Sequence, residues 1–238
     1  MAYHSTRDTV FEARNLTKTF GKAIALSNLN LKVGMGEIVC LLGADGAGKT
    51  TTLNLFLGFR KPTEGEALVG GKPVQNDPVA ARAMLGYVAE SVSLYPTLSG
   101  AENLAFFHAL ARRSALSEDR RAQLLASLDF PGSVLDRPVG TYSKGMRQKL
   151  GLAIAVAKGA RAILLDEPLS GLDPKAANNL VEVMRNLREG GVALLISTHD
   201  FVPGEGSRRS DRHHAARTPD RRGQCIESFG AGFGTALP

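Results

Sequence analysis

The chain has 238 residues, 43% hydrophobic and 22% charged, which suits one sizeable core or two small subdomains and excludes a disordered polymer. Its two cysteines make no disulfide framework: Cys40 sits in an apolar run and Cys225 in a polar tail, as expected in a reducing cytoplasm. The first ten residues lack the pattern of a secretion signal, no run approaches the roughly 18 apolar residues that cross a bilayer, and the net charge of +6 is scattered rather than gathered into a nucleic-acid-binding stripe.

In chain order, residues 10–20 and 23–33 alternate apolar and polar side chains about Gly21 and Lys22, which predicts two half-buried antiparallel strands. Phe20 at their junction has two readings, a ring that stacks on adenine or a residue that closes a strand end. Residues 37–42 (EIVCLL) form a short strand-type run, and residues 50–57 (TTTLNLFL) continue at helical spacing. Between them Gly43, Ala44, Asp45, Gly46, Ala47, Gly48, Lys49, Thr50 and Thr51 fit the phosphate-loop pattern G-x-x-x-x-G-K-[ST]. Backbone N–H groups and a helix N-terminus there cradle polyphosphate, Lys49 reaches the terminal phosphates, and the Thr50 hydroxyl is offered to Mg2+.

Residues 65–69 (GEALV) read as a strand followed by turn residues, and MLGYVAE as a short strand ending on Glu90. Glu90 is either a solvated strand terminus, the ordinary fate of such a residue, or an oxygen ligand near a magnesium-bound phosphate. Residues 101–113 and 118–128 have helical spacing and read as a helical insert whose apolar members Leu104, Phe106, Phe107, Leu110, Leu124, Leu125 and Leu128 are expected in a core. Ser143 is placed to cap a helix running to Ala157, an ordinary helix start that is also an anion site. The buried-strand run 162–165 (AILL) delivers Asp166 and Glu167 at its end, one suited to hold magnesium and the other to polarise an attacking water. A turn through Asp173 leads to a helix over 175–188. A last strand over 192–196 then leads to His199, a residue more often structural than catalytic when alone, here at a sheet edge where ligands bind.

The ordered set GADGAGKTT, GYVAE, YSKGMRQ, ILLDEP, SGLDP and STHD resembles the nucleotide-binding subunit of ATP-binding cassette (ABC) transporters, from about Val10 to Asp200. The resemblance implies an α/β fold, a P-loop NTPase core with mixed sheet, N-terminal antiparallel strands and a helical insert. It divides the chain into an ATP-binding domain over 1–200, with a helical subdomain at about 91–158, and a tail over 201–238. By resemblance, Phe20 takes the adenine-stacking place, Gly43 to Thr51 the Walker A loop, Glu90 the Q-loop place, and Ser143 and Gly145 the signature contacts. Asp166 and Glu167 take the place of the Walker B acids, Asp173 that of the D-loop and His199 that of the switch histidine. The implied ligands are ATP and Mg2+; the implied partners are a second copy closing head to tail around ATP and a separate integral-membrane permease, with no nucleic acid. The implied location is cytoplasmic, peripheral on the inner face of the membrane.

Glu90 stands where the usual residue is Gln, and Tyr142, Lys144 and Met146 replace Leu, Gly and Gln of the commonest signature. The GYxxE and YSKGMRQ combination resembles cassettes of export-type systems more than those of nutrient importers. After Asp200, where the family continues with a helix and a β-hairpin, proline, glycine and arginine are dense and no helical or alternating pattern is visible. Back-translation with G/C-rich codons, read one nucleotide later, yields helix-plus-strand text, so a frameshift just after Asp200 is expected in preference to a divergent or disordered tail. The resemblance implies an ATP-hydrolysing subunit that couples head-to-tail dimerisation to substrate movement by the membrane partner; an inert or nucleotide-binding-only product of a frameshifted gene is the alternative function.

Overall fold

The computed structural model describes residues 9–111, 116–199 and, as backbone, 225–229. Two sheets organise them. The first is antiparallel and is built from β1 (Thr9–Phe20), β2 (Ala23–Gly34), β4 (Glu64–Val69) and the two-residue β5 (Lys72–Pro73), in the order β2-β1-β4-β5. The second has the order β6-β7-β8-β3-β9, from β6 (Leu85–Val88), β7 (Ala162–Asp166), β8 (Ala193–Thr198), β3 (Ile38–Leu42) and β9 (Cys225–Phe229). Its first four strands are parallel and β9 runs antiparallel to β3, so the sheet is mixed.

The parallel strands are apolar on both faces because both are covered. Val39 and Leu41 of β3, Leu164 of β7 and Leu195 of β8 join a core shared with the antiparallel sheet and α1 (Lys49–Phe56). Their sequence neighbours Ile38, Cys40, Ile163, Leu165, Leu194 and Ile196 join a second core on the opposite face, with α5 (Lys144–Ala157) and α6 (Pro174–Glu189). This is the period-two rule applied to a strand with no solvent face.

Helix starts follow local chemistry. Ser99 and Glu102 make a reciprocal capping box at α3 (Gly100–Leu110), Ser117 caps α4 (Glu118–Ser127), Ser143 caps α5, and Asp173 caps α6 with Pro174 at its first position. The sequence reading passed over α2 (Pro78–Met84), although its signals were present: the Asp77 side chain accepts from the Ala80 N–H at 2.9 Å and Pro78 opens the helix.

Two expectations need correction. Leu104, Leu125 and Leu128 are buried, but Phe106 and Leu110 of the supposed core set are 38% and 64% exposed, because α3 packs through one face and these two lie off it. The tail was expected to hold no strand, yet Cys225–Phe229 pairs with β3 over five residues, from Ile38↔Phe229 to Leu42↔Cys225. An edge strand needs mainly backbone hydrogen bonds, and this segment contains neither proline nor glycine. The proposed frameshift junction after Asp200 lies outside the described residues.

Candidate functional site

The carboxyl ends of β3, β7 and β8 lie side by side, with Leu42 opposite Thr198 and Asp166 opposite Ser197. That alignment gathers the loop after β3, the acids after β7 and the histidine after β8 at one sheet edge, where open α/β folds bind ligands. The loop turns through Gly46 at φ +82° and Gly48 at φ +91°, left-handed conformations that favour glycine. Gly48 directly precedes α1 as its N-cap, so the start of the helix dipole faces the loop.

Lys49 is only 6% exposed. Its ammonium folds back over the loop, donating to the carbonyls of Gly43 at 2.6 Å and Ala44 at 3.2 Å, and stands 3.4 Å from Glu167 Oε1. The Thr50 hydroxyl donates to Asp166 Oδ1 at 3.4 Å, and the Ser197 hydroxyl donates to the same oxygen. A hydroxyl and a carboxylate are hard oxygen donors. Few protein ligands fit an ion that keeps water and substrate phosphate in its shell, so the pair suits magnesium. Among the described residues no group of three or more His, Cys, Asp or Glu forms a metal cluster.

Glu167 is a non-glycine residue at φ +45°, a strained conformation. Its N–H is tied to Ser197 through the carbonyl at 3.0 Å and the hydroxyl at 3.2 Å. Its other carboxylate oxygen, Oε2, lies 3.0 Å from His199 Nδ1 and accepts from the His199 N–H at 3.2 Å. The carboxylate is therefore suspended between a lysine and a histidine. Strain held by that many partners marks a residue whose position matters. The Tyr87 phenol also belongs to this corner: burial, then the Asp166 charge, pushes its pKa up.

The remaining expected residues sit around this centre. Phe20 is 46% exposed, with Lys18 Nζ 5.1 Å and Arg60 Cζ 6.0 Å from its ring centroid, so it is an open aromatic face flanked by cations and not a core residue. Asp45, Gly46, Ala47 and Gly48 form the loop itself, and Thr51 continues α1. Ser143 accepts from the Met146 N–H at 3.2 Å, Gly145 follows in the first turn, and exposed Asp173 accepts from the Ala176 N–H at 3.0 Å. Glu90, expected as a metal ligand, has its Oε1 accepting from the Ser170 hydroxyl at 2.9 Å and lying 3.8 Å from Lys144 Nζ. Sequence reasoning assigned no role to Ser197, Tyr87 or Ser170, although each lies within a motif it had singled out.

The fold and this cluster define a P-loop nucleotide-binding protein. A profile of the ABC transporter family matches residues 26–170. The chain belongs to that family. It is 35% identical over 191 residues to the carnitine transport ATP-binding protein OpuCA of Listeria monocytogenes, covering 79% of this chain and 48% of that protein. It is 30% identical over 257 residues to the doxorubicin resistance ATP-binding protein DrrA of Mycobacterium tuberculosis, covering 97% of this chain and 77% of that protein. The structure is similar to the dimeric structure of MJ0796, a bacterial ABC transporter cassette, with a TM-score of 0.69, 28% identity and coverage of 80% of this chain and 88% of that one. The chain spans about half the length of OpuCA.

Proposed function

We propose that this chain binds ATP with Mg2+, closes head to tail with a second copy around the nucleotide, and hydrolyses it to drive substrate movement by a separate membrane subunit. One observation carries the reading: Glu167 held between Lys49 and His199, beside the Thr50 and Asp166 oxygens. Lys49 and the loop amides bind the phosphates, Thr50 and Asp166 hold the magnesium, and Phe20 presents its ring to adenine. A magnesium ion held by Thr50 and Asp166 would neutralise charge on the terminal phosphates. Glu167 accepts a proton from the attacking water, and His199 holds the carboxylate in place. Glu90 is left out of that metal set, because its carboxylate accepts from the Ser170 hydroxyl and lies beside Lys144.

The start of α5, with Ser143 and Gly145, and Asp173 at the start of α6 serve the nucleotide of the opposite copy. A groove supports a membrane partner: Phe59, Tyr87, Phe107 and Leu110, with Arg82 and Lys158, line a cavity of about 360 Å³. Among the described residues no helix is long and apolar enough to cross a membrane. The family resemblance assigns translocation to the partner subunit, with this chain on the cytoplasmic face. Export is the favoured direction, from the resemblance of GYVAE and YSKGMRQ to export-type cassettes and from a relative named for doxorubicin resistance. A relative named for carnitine transport keeps import as the competing outcome.

The test is ATP hydrolysis by the purified chain with its membrane partner, against Glu167→Gln. A wild-type rate above the variant by about 10² to 10⁴-fold is expected for a general base. Equal rates overturn the proposal and favour the nucleotide-binding-only product of a frameshifted gene, a reading supported by the proline-, glycine- and arginine-rich text after Asp200.

A further inference from the structure

Two residues that depart from the commonest family motifs, Glu90 and Lys144, meet in space. Lys144 is the first residue of α5, and the first turn of that helix contains no acidic side chain. A cation there sits at the wrong end of the helix dipole. The missing negative charge comes from another segment: Glu90 Oε1 lies 3.8 Å from Lys144 Nζ. The same oxygen accepts from the Ser170 hydroxyl at 2.9 Å.

Backbone anchors deliver these groups to one place. The buried Gln148 amide, one turn along α5, donates to the carbonyls of Glu90 at 3.0 Å and Ala89 at 3.3 Å. The Ser170 N–H donates to the Glu167 carbonyl at 3.2 Å. Gly171 turns at φ +63°, and a Cβ added there would lie 3.6 Å from Lys144 Nζ. Three segments therefore converge on one carboxylate: the end of β6, the start of α5, and the turn between Glu167 and α6.

We propose that Glu90, Lys144 and Ser170 form a polar clasp that sets the attitude of the α5 N-terminus relative to Glu167, with Glu90 acting as a positioning residue. The clasp rests on the nucleotide reading only for the use made of that helix start. Its members are 33% and 53% exposed at Lys144 and Glu90, so the pair contributes little to global stability and acts locally. A neutral Gln at position 90 would leave Lys144 uncompensated.

The experiment is hydrogen–deuterium exchange on the full chain without nucleotide, for wild type, Glu90→Gln, Lys144→Gln and the double variant, with Glu90→Lys combined with Lys144→Glu as a charge swap. Each single variant is expected to speed exchange over residues 143–149 by about two- to five-fold, the size of an exposed ion pair. The double variant should be no faster than the faster single, and the swap should restore part of the protection. Unchanged exchange, or effects of the two singles that simply add, would overturn the clasp. Steady-state ATP hydrolysis gives a second readout: both singles should lower kcat and leave the magnesium requirement unchanged. A raised magnesium requirement confined to Glu90→Gln would make Glu90 a metal ligand instead. Should the chain hydrolyse no ATP, the functional reading fails and the exchange data alone still decide the clasp.

Discussion

Glu167→Gln removes one negative charge from between Lys49 and His199 while keeping the side-chain shape. Lys49 Nζ and Glu167 Oε1 are 3.4 Å apart, with the side chains 6% and 13% exposed. At an effective dielectric of about 20, that separation corresponds to about 5 kcal/mol of gross attraction. Desolvation of both charges offsets most of it; a net third is about 1.5 kcal/mol, or about tenfold in an equilibrium constant. Lys49 gives up that contact before its charge serves phosphate, and the carboxylate also repels phosphate from the same space. A non-hydrolysable ATP analogue should therefore bind Glu167→Gln about tenfold more tightly than wild type, even as hydrolysis falls. Isothermal titration calorimetry with magnesium at fixed ionic strength reads the difference directly. Equal or weaker binding by the variant would refute the view that Lys49 is held by Glu167 in the nucleotide-free chain.

Phe20→Ala should weaken ATP binding by about tenfold, since base–aromatic stacking contributes about 1 to 3 kcal/mol, and leave the rate at saturating ATP unchanged; triphosphate without a base should bind both proteins alike. Phe56→Ala should cost about 3 to 5 kcal/mol in urea unfolding, because Phe56 is fully buried and packs edge-on to Phe11 at a centroid distance of 5.3 Å. The pKa of Glu12 is lowered, chiefly by its hydrogen bond from Arg14, with Lys32 adding to the effect. A depressed folded-state pKa means the stabilisation is present above the ordinary value of 4.5 and is lost as pH falls through the lower folded value. Glu12→Gln should thus flatten the acid limb of a stability–pH curve below that point and leave the alkaline limb unchanged.

The local elements were legible because their causes are local. Ser143 and Asp173 cap the helices they precede, and the alternation over residues 10–33 does form two paired strands, with shifts of register where β1 bulges near Leu16. Phe20 was left with two readings since neither period nor spacing distinguishes an open ring from a strand-end core residue. Its exposure beside Lys18 and Arg60 emerges only once the loop holding Arg60 returns to β1. Phe106 and Leu110 were assigned to a core on helical spacing alone, but spacing names a stripe and not the neighbour that covers it. β9 is not legible in the sequence because the text around Cys225–Phe229 carries few strand signals; its pairing is made with the edge of β3 that β8 does not occupy.

The phosphate-loop chemistry, the order of the motifs and the identities of the acids and the histidine are legible in the chain alone, because each is written within a few residues and follows from backbone rules. Tertiary structure decided which of those groups touch. Thr50 and Asp166 are 116 residues apart in the chain, and His199 and Glu167 are 32 apart. Parallel pairing of β3, β7 and β8 brings them to one edge, and the left-handed backbone at Glu167 aims its carboxylate between Lys49 and His199. The Glu90 carboxylate shows the same limit: the sequence leaves it between a solvated strand terminus and an oxygen ligand, and packing of α5 against the turn before α6 sets it beside Ser170 and Lys144. Side-chain chemistry is encoded locally, but its partners are selected by contacts between segments that the chain brings together only on folding.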